Sequence, residues 1–172
     1  MLDLETMGTD PGSAIVQIGA VRFDADGVKN TIEVNVSLQS CADAGLRISP
    51  ETCLWWLRQD RELCRQWQQN AVALEDALML FSWWLGSDKA IVWGNAATFD
   101  NAILRAAYNA AGIECPWHYW NDRCFRTVKN IFNLPPVSSE RKHSALSDAI
   151  AQARQIVQSD YCGWILGLKQ TS

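Results

Sequence analysis

Ala14 to Asp24, AIVQIGAVRFD, alternates small or apolar residues with a few polar ones and is rich in Val and Ile. That pattern predicts a β-strand. Gly27 supplies the turn, and Thr31 to Ser37, TIEVNVS, is predicted to be its hairpin partner. Upstream, Met1 and Leu2 lead straight into Asp3-Leu4-Glu5-Thr6. A first strand there is expected to be shorter than usual, or to continue from residues preceding Met1. Downstream, Ser49-Pro50-Glu51 marks a helix start, with Ser as N-cap and Pro at the first helical position. That helix is predicted to reach about Gln59, with a second segment from Arg61 to Gln69. An amphipathic helix is predicted over Leu74 to Leu85, closed by Gly86, followed by a short apolar strand, Ala90 to Trp93. Three more helices are predicted: Thr98 to Ala111, stopped by Gly112; Asp122 to Phe132, stopped before Pro135-Pro136; and Ser144 to about Ser159. The order β-β-β-α-α-β-α-α-α predicts an α/β domain whose mixed β-sheet is flanked by helices.

The 172 residues are expected to form a single domain able to bury roughly 70% of its unfolded surface. A hydrophobic content of 48% points to a full core rather than disorder. No apolar run approaches the ~20 residues of a membrane span, and no leader pattern is visible, so no membrane attachment is expected. Cys41, Cys53, Cys64, Cys115, Cys124 and Cys162 form no CxxC pair and keep no regular spacing. Neither a zinc site nor a disulfide framework is expected, and a reducing cytoplasm is the expected location.

The net charge of −4 is unlike that of a duplex-binding protein, which usually carries a basic face. Positive charge is locally dense at Arg58, Arg61 and Arg65, at Arg123, Arg126 and Lys129, and at Arg141 and Lys142. Each of these groups, taken singly, reads as a solvated helix face. A substrate gripped at its end needs few phosphate contacts, so weak, short-footprint binding is expected.

Three short words carry chemistry: Asp3-Leu4-Glu5-Thr6, then Trp93-Gly94-Asn95-Ala96-Ala97-Thr98-Phe99-Asp100, then His143-Ser144-Ala145-Leu146-Ser147-Asp148. Asp3 and Glu5 lie two apart on a strand and so share a face, with Leu4 directed into the core. Asp100 falls in the first turn of a helix beginning near Thr98. His143 and Asp148, five apart, would point about 140° apart in one continuous helix. They converge only if His143 sits in the loop before it, with Ser144 as N-cap. Alone, each word has an ordinary explanation: an exposed strand end, an acid complementing a helix dipole, a surface His near an unrelated Asp. Together they supply four carboxylates and an imidazole, the set needed for metal-assisted phosphodiester cleavage. Clustered carboxylates suit Mg²⁺ or Mn²⁺, two such cations about 4 Å apart can bind attacking and leaving oxygens, and a His can take the proton of the attacking water.

In order and spacing the three words resemble the DEDDh group of 3′-to-5′ exonucleases, which have a ribonuclease H-like fold. The resemblance runs from Asp3 to about Val157. Three strings are similar to a bacterial and prophage exoribonuclease-like subgroup: DLETMG followed by IVQIGAVRFD; SPETCLWWL; and WNDRCFRT followed by HSALSDA. The resemblance implies that Asp3, Glu5, Asp100 and Asp148 hold two divalent cations, Mg²⁺ or Mn²⁺, and that His143 is the general base. It implies that Thr6 and Met7 lie beside the terminal nucleotide, Met7 as an apolar wedge, with Phe99 a second stacking group. Where many relatives carry an acidic residue, this chain has Cys124. The implied partner is single-stranded nucleic acid, RNA favoured over DNA. A single-stranded DNA exonuclease of repair or recombination is one alternative. A non-catalytic single-strand-binding module is another, and it has no need of His143.

Nine tryptophans are many for this length, and Trp55-Trp56 and Trp83-Trp84 are adjacent pairs within predicted helices, so neither pair can bury both rings on one face. Core packing plus a homodimer interface is the expected explanation. A stacking platform for single-stranded bases is the alternative, with Trp55 or Trp56 the candidates.

Overall fold

The computed structural model describes residues 1–59, 61–86, 88–136, 138–141 and 143–168; Lys142, one of the clustered cations, lies outside them. Three strands open the chain: β1 (Leu2–Thr6), β2 (Ile15–Asp24) and β3 (Gly27–Asn35). They form an antiparallel meander in which Leu2 pairs with Ala20, Leu4 with Ile18 and Ile18 with Val34. Two later strands, β4 (Val92–Gly94) and β5 (Asp122–Cys124), add in parallel beyond β1, giving the order β3-β2-β1-β4-β5. The expected α/β architecture with a mixed sheet flanked by helices is therefore present.

The helices are α1 (Leu38–Asp43), α2 (Pro50–Trp56), α3 (Arg61–Gln68), α4 (Leu74–Leu85), α5 (Asp100–Ala110), α6 (Phe125–Ile131), α7 (Ala145–Val157) and α8 (Cys162–Ile165). Local chemistry sets several ends as expected. The Ser49 hydroxyl caps α2 by accepting from the Thr52 N–H, with Pro50 at the first helical position. Gly86 closes α4 at φ 65°, a left-handed conformation that costs glycine little.

Three expectations are corrected. Although it begins at Leu2, β1 has five residues, because it continues past Asp3 to Thr6; that is an ordinary strand length. The predicted helix over Asp122 to Phe132 is split: Asp122–Cys124 pair with Val92–Gly94, and helix begins at Phe125. Tertiary partners override the helical pattern here, because the Asp122 carboxylate accepts from Asn101, Arg105 and the Trp117 indole. Ser144 precedes α7, but its side chain does not cap it. Its hydroxyl donates to Glu33, and the Ala145 N–H donates instead to Gln17 Oε1, reached from β2.

The two sheet faces bury different partners. Leu2, Leu4, Ile18 and Ala20 pack with Leu78 and Phe81 of α4 and with Ile103, Leu104 and Tyr108 of α5. On the opposite face Val21 and Trp93 pack with Phe125 of α6 and with Ala149, Ala153 and Ile156 of α7. Asp3 and Glu5 belong to this second face, opposite Gly19 and Gln17 of β2 respectively. Gly19 is what lets α7 approach. A methyl group there would overlap the backbone of Ala145 and Leu146, so only hydrogen permits the helix start to lie directly on the sheet. Trp117 and Trp93 are buried in these two clusters and Trp56 and Trp67 in a third with Val16, whereas Trp55, Trp83, Trp120 and Trp164 are exposed.

Candidate active site

Strand alternation directs Asp3 and Glu5 to one side of β1, and α7 delivers Asp148 onto them. One oxygen from each of these three carboxylates lies within 4.8 Å of the other two. Asp3 and Glu5 are buried, although carboxylates are seldom buried unless paired. Asp100, at the first position of α5, is also buried. Its two oxygens accept from the Leu4 N–H and the Ala96 N–H, both at 3.2 Å, so β1 and the turn before α5 hold it together. Gly94 makes room for that turn, since a methyl there would overlap Asn101 Oδ1. Asp100 stands outside the three-carboxylate cluster but shares with it a cleft of about 590 Å³.

The four acids are set against one another. Among the described residues none is paired with Lys or Arg. Burial, then the Asp100, Glu5 and Asp148 charges, pushes the Asp3 carboxyl well above its usual range, opposed by a hydrogen bond from Gln152. Burial, then the Asp148 and Asp100 charges, raises Glu5 to about 8. Burial raises Asp100 to about 6, against the pull of its backbone N–H donors. A buried set of hard oxygens with no internal counter-charge fits divalent cations such as Mg²⁺ or Mn²⁺.

Glu5 keeps its proton in the folded chain up to about 8, whereas its ordinary value is 4.5. Its contribution to stability is fully present below 4.5 and is lost as pH rises through about 8. In chelator the melting temperature should therefore fall as pH is raised across this window, and saturating Mg²⁺ should flatten the slope. Parallel melting curves with and without Mg²⁺ would contradict it.

His143 lies outside α7, as the spacing requires. Its backbone is left-handed at φ 60°, and its N–H donates to Asp148 Oδ2 at 3.2 Å, closing the loop over the acid. Its ring meets Trp55 and Trp56 edge-on at centroid separations of 5.2 and 5.8 Å. The Trp56 indole N–H donates to the Thr6 carbonyl at 2.9 Å, tying α2 to the end of β1. A further relay fixes the start of α7: Gln17 accepts from Ala145 and donates to Asn35, which donates to the carbonyls of Gln66 and Gln69.

The cleft brings together Asp3, Glu5, Thr6, Phe99, Asp100, His143 and Asp148 from the sequence-predicted set. Met7, half-buried just after β1, packs against the apolar cluster of Val16, Trp56 and Trp67. The Thr6 hydroxyl is buried and donates to the Gly8 carbonyl at 2.6 Å. Sequence reasoning missed Arg126, whose density with Arg123 and Lys129 read only as a solvated face. It is the one Lys or Arg among the described residues lining the cleft, brought there by a bond from its N–H to the Asn95 carbonyl. Trp55, 41% exposed, lines the same cleft as Phe99.

Among curated proteins none matches the chain. A family profile described as the 3′-5′ exoribonuclease Rv2179c-like domain matches residues 1–159, a span that includes every acid in the cleft and His143. With α/β topology, clustered acids and matched family agreeing over the same span, the chain belongs to the 3′-5′ exoribonuclease Rv2179c-like domain family.

Proposed function

We propose that the protein is a metal-dependent DEDDh 3′-to-5′ exonuclease that removes nucleoside 5′-monophosphates from single-stranded RNA or single-stranded 3′ overhangs. The observation that carries this reading is the buried cluster of Asp3, Glu5 and Asp148 beside His143 in one cleft. Asp3, Glu5, Asp100 and Asp148 would hold the cations. Bound there, divalent cations would supply Lewis acidity for phosphodiester cleavage.

The chain's own groups do the rest. His143, held by Asp148 and flanked by the two indoles, takes a proton from the attacking water. Trp55 on α2 and Phe99 before α5 offer aromatic faces to the last base, and stacking of this kind is worth about 1–3 kcal/mol per base. Met7, next to Thr6 and packed on Val16, Trp56 and Trp67, is the proposed apolar wedge against that base. A paired duplex end does not offer its base to such faces, and unstacking it costs a few kcal/mol. Single strands are therefore the preferred substrate, and the family match favours RNA.

Arg126 is proposed to contact a substrate phosphate. Arg126→Ala should raise KM for a single-stranded oligomer several-fold with kcat little changed. It should also lower the magnitude of the salt-dependence slope by about 0.7, the share of one phosphate contact on a single strand. An unchanged slope would remove Arg126 from the binding site.

The direction of attack is tested with a 5′-labelled RNA carrying either a 3′-hydroxyl or a 3′-phosphate, and with a circular single strand. A ladder shortening from the 3′ end, blocked by the phosphate, is expected. Fragments from the circle would contradict an end-directed enzyme. Equal kcat/KM on matched RNA, DNA and RNA with one 2′-deoxy terminal nucleotide would replace the RNA assignment by a general single-strand exonuclease.

A further inference from the structure

Asp148 is not the only residue that α7 sends to the acidic cluster. Gln152 follows it by one helical turn and so lies on the same face of the helix. It is 8% exposed, and its amide donates to Asp3 Oδ1 at 2.7 Å. This hydrogen bond joins residues 149 apart in sequence and is buried at both ends. It is also the one side-chain hydrogen bond acting on Asp3. The amide's other atom, Oε1, is buried with no partner. A buried glutamine with an unpaired carbonyl destabilises the fold relative to an apolar side chain of similar size. Its packing alone therefore does not explain a glutamine here; its donor does.

We propose that Gln152 is a positioning residue for Asp3: its amide holds the carboxyl group in one orientation, prepared for a cation shared with Glu5 and Asp148. This rests on the metal-dependent reading of the cleft and adds a residue outside its acids. Carboxylate ligands of metals are themselves commonly hydrogen-bonded, and loss of such a partner typically costs about 10–100-fold in metal affinity or activity. The placement has a structural cause. Asp3 pairs across the sheet with Gly19, and the missing side chain there lets α7 come down close enough for the Gln152 amide to reach Asp3.

The test is Mn²⁺ titration calorimetry on the full chain for wild type, Gln152→Leu and Gln152→Met, with melting measured in chelator. Both substitutions remove the donor and the unpaired carbonyl while keeping similar volume, so one remains informative if the other fails to fold. The proposal expects Mn²⁺ affinity to fall about 10–100-fold, melting in chelator to be unchanged or higher, and most of kcat to return at saturating Mn²⁺. Wild-type Mn²⁺ affinity in a folded variant would overturn it, as would a drop in chelator melting with affinity unchanged, which marks a purely structural residue. Absence of Mn²⁺ binding by the wild type would instead overturn the metal-centre reading itself, and this proposal with it.

Discussion

Asp148→Ala should abolish hydrolysis while leaving a folded protein. Asp148 joins α7 to both chemical parts of the cleft. Its carboxylate contributes to the cluster with Asp3 and Glu5, and its Oδ2 accepts from the backbone N–H of His143. Alanine would remove a proposed cation ligand and free the loop that carries the proposed base. Metal stabilisation of transition-state charge is worth several kcal/mol, so the rate should fall by at least ~10³-fold. Stability should move the other way in chelator. The Asp148 charge raises the carboxyls of both Asp3 and Glu5, and deleting it relieves that repulsion. The metal-free variant should melt no lower than wild type, and Asp3→Ala should behave alike. A variant with full activity at saturating Mg²⁺ would remove Asp148 from the metal centre, whereas a collapse of the fold in chelator would make its role structural.

His143→Ala should lower kcat by roughly 10²–10⁴, the usual weight of a general base, with metal affinity little changed. His143 contacts the acids through its main chain, and alanine keeps that N–H. The ring is what is lost, along with its edge-on contacts to Trp55 and Trp56. The acid limb of the pH–rate profile, which a base that must be neutral imposes, should disappear in the variant. Near-normal rates at every pH would assign the proton transfer to another group. Mn²⁺ calorimetry on the same variant separates loss of the base from loss of the cation.

How far the sequence reaches is visible in particular residues. The strands and the placement of the motif residues were legible because they are local. Alternation in AIVQIGAVRFD fixes which residues share a face, and His143 five residues before Asp148 forces it off the helix. Asp100's place at the first turn of α5 follows from the same kind of spacing. What stayed hidden depends on partners distant in sequence. Asp122 looked like the start of a helix, yet Asn101, Arg105 and Trp117 draw it into the edge of the sheet. Gln17, an unremarked polar residue in a strand, takes over the cap of α7 that Ser144 was expected to provide. Gln152 and Arg126 gave no motif, because their places at the cleft arise only when α7 meets β1 and when α6 follows β5.

The central claim is that this cleft cleaves phosphodiesters from a 3′ end through cations held by its acids. Its most direct measurement is digestion of a 5′-labelled single-stranded RNA with Mg²⁺, with Mn²⁺ and with excess chelator, products being resolved at single-nucleotide length. The account predicts a ladder shortening from the 3′ end, with release of nucleoside 5′-monophosphates, in either metal and none in chelator. Undiminished cleavage in excess chelator would contradict it.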